Sequence, residues 1–127
     1  MNLIMFVGAF LGLMAIGMGA YTDHVLSKIA DPVIMMMVGT ALHYHLFHSV
    51  LVVSIGLSLF MPIPNKLYGC LKVCGWVFIV GILLFSFSIY LRAMTGIREF
   101  TNVTPLGGII LMMGWGLLAW TSFSKKR

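Results

Sequence analysis

Charge is what this sequence has least of. Three acidic residues, Asp23, Asp31 and Glu99, stand among 127, and all charged residues together make up 9% of the chain, where soluble domains carry about 25%. That scarcity excludes an ordinary water-facing surface. Hydrophobic residues reach 61% and the mean hydropathy is +1.06, more apolar surface than a water-soluble fold of this length can hide. Cysteine is nearly absent as well. Cys70 and Cys74 lie one helical turn apart, which excludes a disulfide framework and leaves small apolar filler as the commoner role, with a soft metal such as Cu(I) as the rival. No nucleophile elbow, P-loop, HExxH, paired CxxC or dinucleotide fingerprint occurs, so no motif names an enzyme class and the balance leans against an enzyme. Asn102-Val103-Thr104 has the form of a glycosylation sequon but sits too close to an apolar run to be attractive, and is treated as chance.

What is present is long apolar runs separated by short polar ones. The eight lysines and arginines fall only between those runs and at the C-terminus, so they read as topology signals and contacts to anionic lipid, and nucleic acid is not an expected partner. At this length one domain is expected. Its fold class is all-α: a polytopic membrane protein, a four-transmembrane-helix bundle with a short interfacial helix or tilted extension before helix two. Helix one is expected over about 2–22, because the first charge is Asp23 and the run is long enough for ~30 Å of hydrocarbon. A cleaved signal peptide is the rival reading, and the missing charged n-region argues against it. Asp31-Pro32 is a capped helix start and Pro62 and Pro64 are stops, giving helix two over about 32–61 with its membrane part at about 41–61. Helix three is expected over about 67–92, up to Arg92. Thr104-Pro105 repeats the cap-plus-proline start, giving helix four over about 104–124 ahead of Lys125-Lys126-Arg127.

Four spans put both termini on one side. Lys66, Lys72, Lys125, Lys126 and Arg127 lie on the side of the termini and the second loop, against Lys28, Arg92 and Arg98 on the other, which favours cytoplasmic termini. Gly8 and Gly12 form a GxxxG pair continued by Ala15 and Gly19, and Gly107 and Gly114 give helix four a second narrow face. Small residues admit a closely packed helix. The sequence leaves open whether that helix belongs to the same chain or another. Trp76, Trp115, Trp120 and Tyr68 are expected at membrane interfaces or inside the bundle.

The polar residues suggest a site. His24, Tyr44, His48, Ser86, Ser88, Tyr90, Arg92, Thr95 and Arg98 come from three segments and are expected in one half of the bundle, facing inward, since polar groups are costly in hydrocarbon. At about 100° per residue Tyr44, His45 and His48 share a face while His43 does not, so this helix alone cannot supply a three-histidine metal site. His24, His45 and His48 together remain weak candidates for Zn, Cu or haem iron, with hydrogen-bonded structural histidines the plainer reading. No cofactor is expected. The plain reading of helix three is that its serines bond to their own backbone and Arg92 reaches the headgroups. Arg98-Glu99 reads as an exposed loop pair.

Several separated stretches carry a resemblance. Gly17-Met18-Gly19-Ala20 followed by His24-Val25-Leu26, Tyr44 with His48, Phe85 to Tyr90 leading to Thr95-Gly96-Ile97-Arg98, and Thr104-Pro105-Leu106-Gly107-Gly108 with Gly114-Trp115 keep order and spacing. In these the chain resembles, over nearly its whole length, the bacterial family called domain of unknown function 423, related to eukaryotic transmembrane protein 256. His43, His45, Phe47 and Tyr21-Thr22-Asp23 depart from that pattern. The resemblance implies four membrane helices and a bacterial inner-membrane location, with no biochemical activity to carry over.

The leading expectation is therefore an accessory or structural membrane component that self-associates or binds a larger membrane partner through helices one and four. A small oligomeric carrier or pore for a proton, ion or polar solute, using His24, Tyr44, His48, Thr95 and Arg98, is the alternative. A metal or haem redox protein is the third reading, and an enzyme acting on lipid the last.

Overall fold

The computed structural model describes residues 1–123; Ser124 and the basic cluster Lys125, Lys126 and Arg127 lie outside the described residues. Four long apolar helices alternate in direction, and no strand occurs among the described residues. Helix α1 spans Leu3–His24, α2 spans Pro32–Ser58, α3 is helical over Asn65–Thr95, and α4 spans Thr104–Thr121. Short 3₁₀ turns at Leu26–Lys28 and Arg98–Val103 lie in the first and third connections.

The starts of the helices follow from side chains that satisfy free backbone N–H groups. Asp31 accepts from Ile34 N at 3.0 Å with Pro32 in the first turn, as its sequence indicates. Asn2 does the same for α1, accepting from Met5 N at 3.1 Å, and its amide donates to the Gly56 carbonyl at 2.6 Å, which ties the start of α1 to the end of α2. Thr104 departs from expectation. No side chain caps α4, and the Thr104 hydroxyl is turned instead to Ser88 on α3 at 2.6 Å. Gly96, at φ +74°, ends α3 in the left-handed conformation that glycine adopts without strain.

Residues 32–40 are not a separate interfacial helix but the first turns of a continuous 27-residue α2. At about 1.5 Å per residue α2 is ~40 Å long, beyond the ~30 Å of hydrocarbon, so it tilts or projects into the headgroups.

Helix pairs α1/α2 and α3/α4 pack most closely. A Cβ on Gly8 would stand 2.8 Å from Val52 Cγ1 and 2.9 Å from the Val53 backbone nitrogen, and Gly12 faces Ser49. Ala15 is buried on the same side, whereas Gly19 has no atom within 4 Å of such a Cβ. A Cβ on Gly114 would press on the Phe78 ring and one on Gly107 on the backbone of Leu84 and Phe85. The glycine faces of helices one and four thus meet neighbours within the same chain. Gly56 against Met5, Gly75 against Ile4 and Gly81 against Leu111 do the same work.

Ile4, Leu11, Val52, Ile55, Cys74, Phe78, Ile79, Ile82 and Leu111 form one core cluster, with a second around Leu26, Val38, Ala41, Ile89 and Tyr90. Between the two, residues Leu83–Phe87 of α3 wind as a π-helix. Two contacts account for it: α4 leans backbone to backbone on Leu84 and Phe85 at Gly107, and the Ser86 hydroxyl donates to the Ala41 carbonyl on α2 at 2.8 Å.

Candidate functional site

The nine polar residues that the sequence groups together are distributed among several separate bonds. His24 and Arg98 are exposed, one at the end of α1 and the other in the third connection. Thr95 bonds the Leu91 carbonyl at 2.6 Å and accepts from Ile97 N at 3.2 Å, which closes the end of α3. Arg92 donates to the Thr101 hydroxyl at 3.3 Å. Ser88 bonds the Phe85 carbonyl at 2.8 Å as well as Thr104, and Ser86 crosses to α2. Ser88 therefore bonds the backbone of its own helix, whereas Ser86 bonds that of α2.

Two histidines of α2 point inward and find different partners. His45 is fully buried, and its Nδ1 lies 3.0 Å from the Tyr90 hydroxyl. Its Nε2 has no hydrogen-bond partner among the described residues. His48 is more fully engaged. Its Nδ1 lies 2.7 Å from the Tyr44 carbonyl, and its Nε2 lies 3.1 Å from the Trp115 indole nitrogen on α4. A carbonyl can only accept and an indole N–H can only donate. The ring is therefore neutral, with its proton on Nδ1 and the Nε2 lone pair receiving Trp115. Protonating Nε2 would set two donors against each other and break the tie between α2 and α4.

That arrangement bears on metal binding. Both His48 nitrogens are taken, His45 lies against Tyr90, and His24 is at the helix end. No group of three or more His, Cys, Asp or Glu side chains that could hold a metal ion occurs among the described residues. Cys74 is buried in the core cluster and Cys70 is half-buried, both as free thiols.

Around His48 the side chains are almost all rings. Tyr44 stacks on it with centroids 5.8 Å apart, and Phe47, Phe78 and Trp115 stand 5.6, 5.6 and 6.1 Å from it. Tyr44 also leans on Phe85 at 4.8 Å and Phe47 on Trp115 at 6.1 Å. On the outer side of this cluster His43, Tyr44, Phe47 and His48 bound a recess of about 340 Å³. Across His43 and Phe47 lies a longer apolar groove of about 770 Å³, walled by residues of α1 and α2 such as Ala15, Ile16, Leu46 and Val50. His43 and Tyr44, at the rim, are exposed.

For Trp115 the sequence indicates an interface or the bundle interior but no partner. An indole N–H inside an apolar run needs an acceptor, and that need was the available signal. The acceptor stands 67 positions away, so its identity was not legible. Gly56 and the π turn carry no comparable local mark.

Four membrane-length helices tied by hydrogen bonds between their polar side chains define a polytopic integral membrane protein. The chain belongs to the family described as "Protein of unknown function (DUF423)", which matches residues 18–108, in agreement with the resemblance carried by its motifs. It is 32% identical over 118 residues to a "UPF0382 membrane protein" of Haemophilus influenzae, covering 93% of this chain and 91% of that one. Over 118 residues it is 33% identical to the "UPF0382 membrane protein YwdK" of Bacillus subtilis, covering 91% of each. To the "UPF0382 inner membrane protein YgdD" of Escherichia coli K12 it is 32% identical over 120 residues, covering 94% of this chain and 88% of the relative. No solved structure matches the chain.

Proposed function

We propose that this protein is a non-enzymatic accessory component of the bacterial cytoplasmic membrane that acts by lateral association with itself or a larger membrane partner, both termini facing the cytoplasm. One observation carries the reading. Three pairs of interior polar side chains bond to one another across helices, His48 with Trp115, His45 with Tyr90 and Ser88 with Thr104, which favours the lipid-facing surface as the part offered to other molecules. A carrier reading asks His48 to exchange a proton at the nitrogen that holds Trp115. The inner-membrane name of the Escherichia coli relative and the basic residues beside the termini and second loop support the location and orientation.

Gly8, Gly12, Gly107 and Gly114 cannot test association, because they pack inside the chain. Gly17 on α1 and Gly116 on α4 can, since a Cβ there would meet nothing within 4 Å, and a small residue facing lipid admits a neighbouring helix. Gly17→Leu and Gly116→Leu are expected to leave the melting temperature unchanged and to reduce cross-linking between copies, or to a partner, in native membranes. Cross-linking unchanged in both variants, or a chain that stays monomeric at every protein-to-lipid ratio and captures no partner in cells, refutes the proposal.

A further inference from the structure

All three acidic residues lie at one end of the bundle. Asp23 is in the last turn of α1, Asp31 caps α2 and Glu99 is in the third connection. The opposite end, where α1 begins, α2 ends and α3 begins, carries Lys66 and Lys72 and no acidic side chain among the described residues. That end also holds a cavity of about 470 Å³. The first residues of α1 close one side, Leu59 and Phe60 just past α2 form the second, and α3 supplies the third with Tyr68, Lys72 and Trp76.

Spacing fixes both the face and the depth. Tyr68, Lys72 and Trp76 are successive i, i+4 positions, so their side chains follow one another along a single stripe of α3. Lys72 and Arg92, with no charged residue between them, stand ~30 Å apart along that helix, which is the thickness of the hydrocarbon. Lys72 is therefore at its boundary, with Tyr68 one turn toward water and Trp76 one turn toward the acyl chains. Nothing in the chain answers its charge. The Lys72 ammonium has no hydrogen-bond or ion-pair partner among the described residues, and neither have the Tyr68 hydroxyl and the Trp76 indole. Asn2 is the other polar side chain of the cavity, and its amide is committed, the oxygen to Met5 N and the nitrogen to the Gly56 carbonyl. The cavity thus offers three donors, one of them charged, and no carboxylate. The anion found at that depth in a membrane is the lipid phosphate, and the apolar walls below it suit the start of acyl chains. A zwitterionic head brings a second cation into a cavity with no acid to receive it. A net-negative head does not.

We infer that this cavity is a binding site for one anionic phospholipid, its phosphate accepting from Lys72 and Tyr68 and its acyl chains running past Trp76. The site is independent of lateral association and can hold for a monomer.

The test is native mass spectrometry of the full chain released from micelles that hold equal amounts of phosphatidylglycerol and phosphatidylcholine with the same acyl chains. One phosphatidylglycerol retained per chain, in preference to phosphatidylcholine, is expected. The preference should fall about fivefold in Lys72→Gln, what one lysine is worth beside an anionic headgroup, and return in Lys72→Arg. Lys66→Gln, also exposed but outside the cavity, should leave it unchanged. Phosphatidylglycerol should raise the melting temperature of the parent and not that of Lys72→Gln; without the lipid the two should melt together, because Lys72 is exposed. Glycerol phosphate at millimolar concentration should not displace the lipid. Equal retention of the two lipids overturns the site. Equal losses in the Lys66 and Lys72 variants do so too, since the preference would then belong to the whole basic end. Displacement by glycerol phosphate would make the cavity a site for a free anion and overturn it as a lipid site. Cross-linking between Lys72→Cys chains in native membranes, with no lipid retained by the parent, would give the cavity to a second copy and also overturn it.

Discussion

Replacing Gly107 by alanine is a severe perturbation for one methyl group. The new Cβ would lie against the Phe85 nitrogen and Leu84 carbonyl carbon of α3, with the Phe85 Cα next to them. All three are backbone atoms, so no rotamer change makes room, and α4 must move away from the π turn or the turn must rewind. Overpacking of a rigid wall costs about 3 kcal/mol at the upper end of its usual range. Alanine returns up to ~1 kcal/mol in helix propensity, leaving a net loss of about 2 kcal/mol, or roughly 30-fold in the folding equilibrium. Gly116, nine residues on in the same helix, has open space where its Cβ would be, so Gly116→Ala should be neutral or stabilise by up to ~1 kcal/mol. Unfolding both variants in mixed micelles of increasing denaturing detergent, followed by circular dichroism, measures the difference. If Gly107→Ala matches the parent, or is no weaker than Gly116→Ala, the close approach of α4 to the π turn is refuted.

Three other outcomes follow from the side-chain bonds. Tyr90→Phe removes the hydroxyl that meets His45 Nδ1, which should cost about 1–3 kcal/mol in the same assay, with His45→Leu in the Tyr90→Phe background recovering most of it. A double-mutant cycle on His48→Leu and Trp115→Phe should give a coupling of ~0.6–1.7 kcal/mol, and a coupling near zero would remove the tie between α2 and α4. Asn2→Ala loses both the α1 cap and the bond to Gly56, and should lower stability by about 1–2 kcal/mol and increase amide exchange in the first turn of α1.

The membrane helices were readable because their cause is local. Apolar runs end where charges and prolines begin, and the bilayer fixes the length such a run must reach. Asp31 caps α2 for the same local reason: its carboxylate is three residues from the N–H it serves. Thr104 has an equivalent sequence context and a different fate, because Ser88 on α3 stands 2.6 Å away and takes the hydroxyl. Tertiary contact likewise makes the π turn, through Gly107 and through Ser86 bonding to Ala41. The candidate site divides along the same line. That α2 carries its histidines on different faces follows from the helical period. Which histidine meets Tyr90, which meets Trp115, and which is left facing lipid depends on how four helices are rotated about their axes, and no short-range pattern encodes that. The GxxxG spacing of α1 marks a surface that admits a close neighbour, but spacing is silent on whether Val52 of the same chain or a second molecule fills it.

The inward histidines hold helices together, His48 most directly of all. Its tautomer is dictated by the Tyr44 carbonyl on one side and the Trp115 N–H on the other. Nitrogen-15 solid-state NMR of the protein in lipid bilayers, with labelled histidine and tryptophan, reads this without perturbing the bundle. A neutral His48 ring protonated at Nδ1 is expected, with Nε2 bare of its own proton and correlated with the Trp115 indole. A proton on Nε2, or an indole nitrogen that shows no correlation with the ring, would contradict it.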